Sequence, residues 1–155
     1  MHAAVAETTY RPGVHPAATL RAHDDAVVGD RRESVMAGMD KRSLDEPDES
    51  RRPDKTVLDV VSLPGATVGR IRLQPGWRWS ECIKPIAGTA SCQTPHLGYV
   101  IAGRLHLRDD SGAELDIGPG DAYQVAPGHD AWVVGEEQFV ALEFDSKTAE
   151  TYATG

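Results

Sequence analysis

The sequence predicts an all-β domain, an antiparallel sandwich or barrel of short strands. From residue 56 onward the chain runs in short stretches that are apolar throughout or alternate apolar with polar residues. Turn residues separate them at regular intervals: Leu63-Pro64-Gly65, Gln74-Pro75-Gly76, Asp109-Asp110-Ser111-Gly112 and Gly118-Pro119-Gly120. No phosphate loop, Rossmann glycine fingerprint or Gly-x-Ser-x-Gly elbow interrupts the series, which argues against nucleotide and hydrolase folds built on those turns.

Residues 1–55 alternate charges of both signs with Ala, Gly and Pro and show neither a period-2 nor a period-3.6 apolar pattern. The run from Asp40 to Lys55 can bury almost nothing, so ordering it costs backbone entropy without return, and a flexible tail is expected. Met36 or Met39 is an alternative start, and a short strand near the end of the tail, covering a barrel edge, is the alternative to full disorder. The domain is then expected over 56–145, followed by a C-terminal tail over 146–155. Strands are expected at 57–61, 66–73, 77–84, 96–102, 104–108, 113–117, 123–125, 132–134 and 139–144, with a loop of small residues between 84 and 96. Helix is expected nowhere except as a turn in the last ten residues.

A chain of 155 residues fits one compact domain, and no apolar run approaches the roughly 20 residues of a membrane span. The first residues lack a charged start followed by an apolar stretch, so the expected compartment is the cytoplasm. In that compartment Cys82 and Cys92 are expected as a ligand, a reactive thiol or small buried fillers rather than as a disulfide. The net charge of -8 disfavours nucleic-acid backbones and anionic membranes, leaving small molecules or other proteins as partners.

Three stretches, PGWRWSECIKP from Pro75, HLGYVIAG from His96 and PGDAYQVAPGHDAW from Pro119, resemble the two-motif signature of the cupins. The resemblance implies a double-stranded β-helix, a jelly-roll-like barrel, and by family analogy a homodimer. The first cupin motif runs from a glycine through five residues to His-x-His, then to a glutamate, then through six residues to a second glycine. Counting from Gly76 puts Cys82 and Lys84 at the histidine positions, and counting back from Gly103 puts His96 at the glutamate position. A loop insertion between Lys84 and His96 brings in Cys92. In the second motif Gly120, Asp121, Pro127 and Gly128 fall as expected, while Ala131 stands at the histidine position and His129 two residues earlier. All four customary ligand positions have changed identity. The wording of PGWRWS, GYVIAGR and PGHDAWVVG is similar to small, stand-alone bacterial cupins.

The chemistry must therefore be argued from the residues present. If 77–84 is a strand, Cys82 and Lys84 share a face about 7 Å apart, and an inward Lys84 favours an anionic ligand over a cation; its bland alternative is a pairing with Glu81 at the barrel mouth. Cys92 and His96 would stand about 13 Å apart on a straight strand, but Gln93-Thr94-Pro95 permits a bend. Bent, that connection lets Cys92 and His96 converge with His129 on one divalent metal with an open fourth position, zinc first and nickel, copper or iron behind it. The competing reading makes Cys92 a loop filler and His129 a donor to a turn carbonyl. Trp79, Lys84, Tyr99, Tyr123 and Trp132 are the expected ligand-binding residues, with the tryptophans either core plugs or platforms for a flat ligand. Asp121 is expected to accept turn amides and Asp130 to orient His129, while His106 is expected to face solvent.

The function these residues support is a small barrel binding a compact, anionic or metal-bound small molecule. The alternatives are a metal-dependent enzyme of isomerase, cyclase or oxygenase type acting on a small metabolite, and a scaffold that only dimerises. Iron-dependent oxygen chemistry is disfavoured, because the usual histidine and carboxylate set is missing.

Overall fold

The computed structural model describes residues 38–145, 147 and 148, all within the compact unit Val35–Gly155. Most of the expected tail, including Met36, lies outside the described residues.

Nine strands and two helical turns follow one another: β1 (Glu49–Arg51), β2 (Thr56–Leu63), β3 (Ala66–Leu73), α1 (Trp79–Cys82), α2 (Lys84–Ala87), β4 (His96–Ala102), β5 (Leu105–Asp109), β6 (Glu114–Ile117), β7 (Ala122–Val125), β8 (His129–Val133) and β9 (Phe139–Phe144). They form a six-stranded sheet in the order β1-β2-β3-β9-β4-β7 and a three-stranded sheet in the order β6-β5-β8. Every pairing is antiparallel. The all-β expectation holds, and most strand positions match to within a residue or two.

Two differences bear on the site. First, the sheet begins at Glu49, because β1 covers the β2 edge as the alternative reading of the tail allowed. Ser50 donates to Asp59 at 2.9 Å, and Asp59 also accepts from Arg70 and Arg72. Burial opposes the Asp59 charge, but the Ser50 and Arg70 hydrogen bonds and the two guanidinium charges outweigh it and lower its pKa. Second, residues 77–84 are not a strand. Asp130, on β8, accepts from the Ser80 backbone at 3.1 Å and from its hydroxyl at 2.9 Å, capping α1 from outside the helix. Lys84 then opens α2, with Pro85 following where its missing donor costs nothing.

The core lies between the two sheets. Leu58, Ile71, Leu73, Val100, Phe139 and Ala141 face Leu105, Leu107, Ile117, Ala131 and Val133, and Trp77, Trp79 and Ile83 close one end. Gly98 on β4 is required by a close approach: a Cβ there would stand 2.5 Å from the Leu142 carbonyl and from the Tyr123 ring.

Candidate metal centre

Cys92, His96 and His129 converge. Their ligand atoms lie within 4.8 Å of one another, with Cys92 and His129 buried and His96 nearly so. Cys92 Sγ stands 3.5 Å from His96 Nε2. Zinc bonds of about 2.3 Å to sulfur and 2.0–2.1 Å to nitrogen, at a tetrahedral angle, put those two atoms about 3.5 Å apart, so this pair fits one ion, with His129 within 4.8 Å of both.

The inserted loop brings them together. Cys92 forms an isolated antiparallel bridge with His129: its N–H donates to the His129 carbonyl at 2.8 Å and its carbonyl accepts from Gly128 at 2.7 Å. Cys92 is thus held beside β8 while residues 93–95 turn back into β4, which removes the separation that a straight strand would impose. His96 and His129 open β4 and β8 and point inward with Gly98, Val100, Ala131 and Val133.

Both imidazoles are oriented through Nδ1. His129 Nδ1 lies 2.7 Å from the Ala126 carbonyl, which can only accept, so Nδ1 carries a proton and Nε2 faces the cluster. This is the turn-carbonyl contact the sequence offered as an alternative to ligation; it engages Nδ1 and leaves Nε2 toward Cys92 and His96. His96 Nδ1 lies 2.9 Å from Glu143 Oε1 and 3.3 Å from Thr148 Oγ1, while Thr148 donates to Glu143 Oε2 at 2.6 Å and Tyr123 to Oε1 at 3.5 Å.

These contacts set the protonation states. Burial works against a Cys92 thiolate, but hydrogen bonding to the His129 and His96 rings and the His96 charge outweigh it and bring the thiol down to about 6. Burial likewise opposes a charged His96, yet the Glu143 charge and hydrogen bonds to Cys92 and Glu143 raise it to about 10. The metal-free pair is a thiolate beside an imidazolium. Burial and the Glu143 charge push the Tyr123 phenol up, so it stays a donor. Cys82 is a buried free thiol raised by desolvation, outside the cluster.

A narrow pocket of about 40 Å³ adjoins the cluster, lined by His96, His129, Tyr123 and Glu143 together with Trp77, Trp79, Phe139 and aliphatic side chains. An open groove of about 400 Å³, between the β5–β6 hairpin and the turn before β8, shares Leu107, Val125 and His129 with it. Of the expected ligand-binding residues, Trp79 and Tyr123 line the cavity. Lys84, Tyr99 and Trp132 do not, and each correction has a physical reason. Lys84 begins a helix and is exposed, so strand parity does not apply to it. Tyr99 is three residues from the inward His96 and therefore points outward. Trp132 alternates with the inward Ala131 and Val133, stacks on His106 with centroids 4.3 Å apart, and has the Arg78 guanidinium 4.6 Å over its ring. Asp130 binds Arg78 and Ser80 rather than orienting His129, whereas Asp121 accepts the Gly118 amide at 2.8 Å as expected of a turn residue.

Glu143 and Thr148 were not anticipated. Glu143 had a signal: it shares parity with Phe139 and Ala141 in an apolar strand, so it had to be an inward acid. Thr148 had none, being a threonine in an apparently polar tail.

Solved structures with a similar arrangement include a protein of unknown function from Rhizobium leguminosarum, with 21% identity, 68% of this chain and 94% of that chain covered, and a TM-score of 0.50. A polyketide cyclase from Streptomyces resistomycificus has 16% identity, 70% and 79% coverage and a TM-score of 0.49. The Cnp3 cupin domain of Schizosaccharomyces pombe has 13% identity, 71% and 76% coverage and a TM-score of 0.47. With the first of these the chain shares its fold, an antiparallel β architecture of two sheets. No family model and no curated protein matches the sequence. The cluster sits where β4 and β8 begin, with Cys92 held against β8. Among the described residues no helix is long and apolar enough to cross a membrane.

Proposed function

We propose that this cupin barrel holds one divalent metal through Cys92, His96 and His129 and uses it to bind a compact small molecule in the adjoining cavity. The observation that carries the reading is the convergence of three donors whose two imidazoles are both fixed through Nδ1. One thiolate and two imidazoles suit zinc before nickel, copper or iron. The positive charge that would attract an anionic ligand is then the metal's, since Lys84 stands outside the cavity.

A bound ion would supply Lewis-acid polarisation at the position the protein leaves open. The chain's own residues do the rest. Glu143 and Ala126 hold the rings, Tyr123 presents a protonated phenol to Glu143, and the aliphatic wall excludes water. Three protein donors rather than four is the pattern of catalytic zinc, so an isomerase or cyclase acting on a small metabolite is the catalytic form of the same reading.

The test is elemental analysis of protein purified without an affinity tag, for wild type, Cys92→Ser and His96→Ala. Near-stoichiometric metal in the wild type, lost in both variants while they remain folded by circular dichroism, is the expected result. Metal content unchanged in His96→Ala would remove the assignment.

A further inference from the structure

Cys92 is the donor that the inserted loop supplies, and three hydrogen bonds close a ring where that loop meets the barrel. The Gly128 N–H donates to the Cys92 carbonyl at 2.7 Å, the Asp110 N–H donates to the Gly128 carbonyl at 2.9 Å, and the Ser91 hydroxyl donates to Asp110 Oδ2 at 2.8 Å. The ring joins the loop, the turn before β8 and the hairpin after β5, and the Asp110 carboxylate is its side-chain acceptor. Ser91 is buried and gathers the loop around itself: Thr89 Oγ1 donates to its carbonyl at 2.8 Å, and Gln93 Nε2 donates to its hydroxyl at 3.0 Å. At Gly128 φ is +92°, and an added Cβ would stand 3.0 Å from Asp110 Oδ2, so the turn meets the carboxylate with bare backbone.

We propose that Asp110 is a positioning residue for the metal centre: by accepting from Ser91 it keeps Cys92 Sγ within reach of the ion that His96 and His129 bind. This rests on the proposed function for its metal and adds a residue that touches neither the ion nor the two imidazoles. The main-chain bonds of the ring set where Cys92 sits along β8 but leave the loop free to swing about that bridge. The Ser91 contact, on the preceding residue and to a different element, removes the swing. Taking away the carboxylate deprives the buried Ser91 hydroxyl of its acceptor, and hydrogen bonds to a charged group are the stronger kind, so the loss is of about tenfold in binding. Asparagine keeps an acceptor oxygen at the same reach, whereas alanine keeps none.

The experiment compares wild type, Asp110→Ala and Asp110→Asn by two readouts. One is titration with cobalt(II) followed through the thiolate-to-cobalt charge-transfer absorption, which reports sulfur ligation rather than metal uptake alone. The other is alkylation of Cys92 by iodoacetamide in metal-free protein, resolved from Cys82 by peptide mass spectrometry. Asp110→Ala is expected to bind cobalt about tenfold more weakly with that absorption reduced, and to let Cys92 react about tenfold faster, while its thermal unfolding stays cooperative. Asp110→Asn should restore both. Ser91→Ala should reproduce the alanine effects, and the double variant should be no worse than either single one; if Asp110→Ala does not fold, Ser91→Ala carries the same comparison. An alanine variant indistinguishable from wild type in both readouts would overturn the assignment and leave the metal centre standing. An asparagine variant as impaired as the alanine one would also overturn it, because the acceptor would then not matter. A wild type that takes up no cobalt, with Cys92 alkylation still accelerated in Asp110→Ala, would leave the ring standing and remove the metal reading.

Discussion

At the scale of single residues, the proposed centre depends on groups outside its three donors. Thr148 donates to Glu143 Oε2, which leaves Oε1 for His96 Nδ1. Thr148→Val should therefore weaken zinc affinity by about tenfold, the scale on which outer contacts act, and Thr148→Ser should restore it. Competition against a chromogenic chelator measures both. The coupled pair also fixes a pH signature in metal-free protein. His96 is raised to about 10, so its contribution to stability is complete below its unfolded value near 6.5 and is lost as pH climbs through about 10. Cys92 is lowered to about 6, so its contribution is present above its unfolded value near 9 and is lost as pH falls through about 6. Between roughly 6.5 and 9 the two slopes are opposite and cancel. Removing the thiol leaves Glu143 to hold His96 charged. Relative to wild type, Cys92→Ser should thus lose stability as pH rises within that window, over the range in which Glu143 still holds His96 charged. Denaturant titrations at several pH values read the difference, and parallel profiles would contradict the thiolate–imidazolium assignment.

At the scale of elements, strand β4 joins the site to the six-stranded sheet, and Gly98 is its narrowest point. A methyl group there meets the Leu142 carbonyl and the Tyr123 ring, so Gly98→Ala should cost about 2 kcal/mol or more and detach Tyr123 from Glu143. Thermal unfolding with tyrosine absorbance checks both effects. The same strand shows how much was legible. Turn glycines and prolines placed β4, β5, β6 and β7 closely, because Gly or Pro lies within a few residues of both ends of each. Alternation misread 79–84, because the cap on α1 comes from Asp130, fifty residues downstream of Ser80. A non-local cap leaves no mark in the local sequence. Cys92, His96 and His129 could be named from residue type, while their meeting depended on a main-chain bridge that no side-chain pattern announces.

At the scale of the whole molecule, the outer face of the larger sheet is apolar across two neighbouring strands. Leu97, Tyr99 and Ile101 on β4 are 52%, 44% and 48% exposed, and Phe144 on β9 stands beside Val140 and Leu142 without a charge among them. The homodimer expected from the sequence is proposed to use this face, since an uncharged surface repeated across a two-fold axis is self-complementary. Light scattering should show a dimer for wild type and a monomer for Ile101→Glu, and a monomeric wild type at every concentration would exclude it.

The bridge between Cys92 and His129 carries one more consequence. Main-chain hydrogen bonds, not the thiol, fix position 92, so the identity of that donor is free to vary while its place is kept. An aspartate there would give two histidines and a carboxylate, a hard-oxygen set that favours ferrous iron and oxygen activation over zinc. One codon therefore separates the donor set of a Lewis-acid barrel from that of a redox one, and the inserted loop is the point at which such a lineage could change its chemistry without rebuilding its fold.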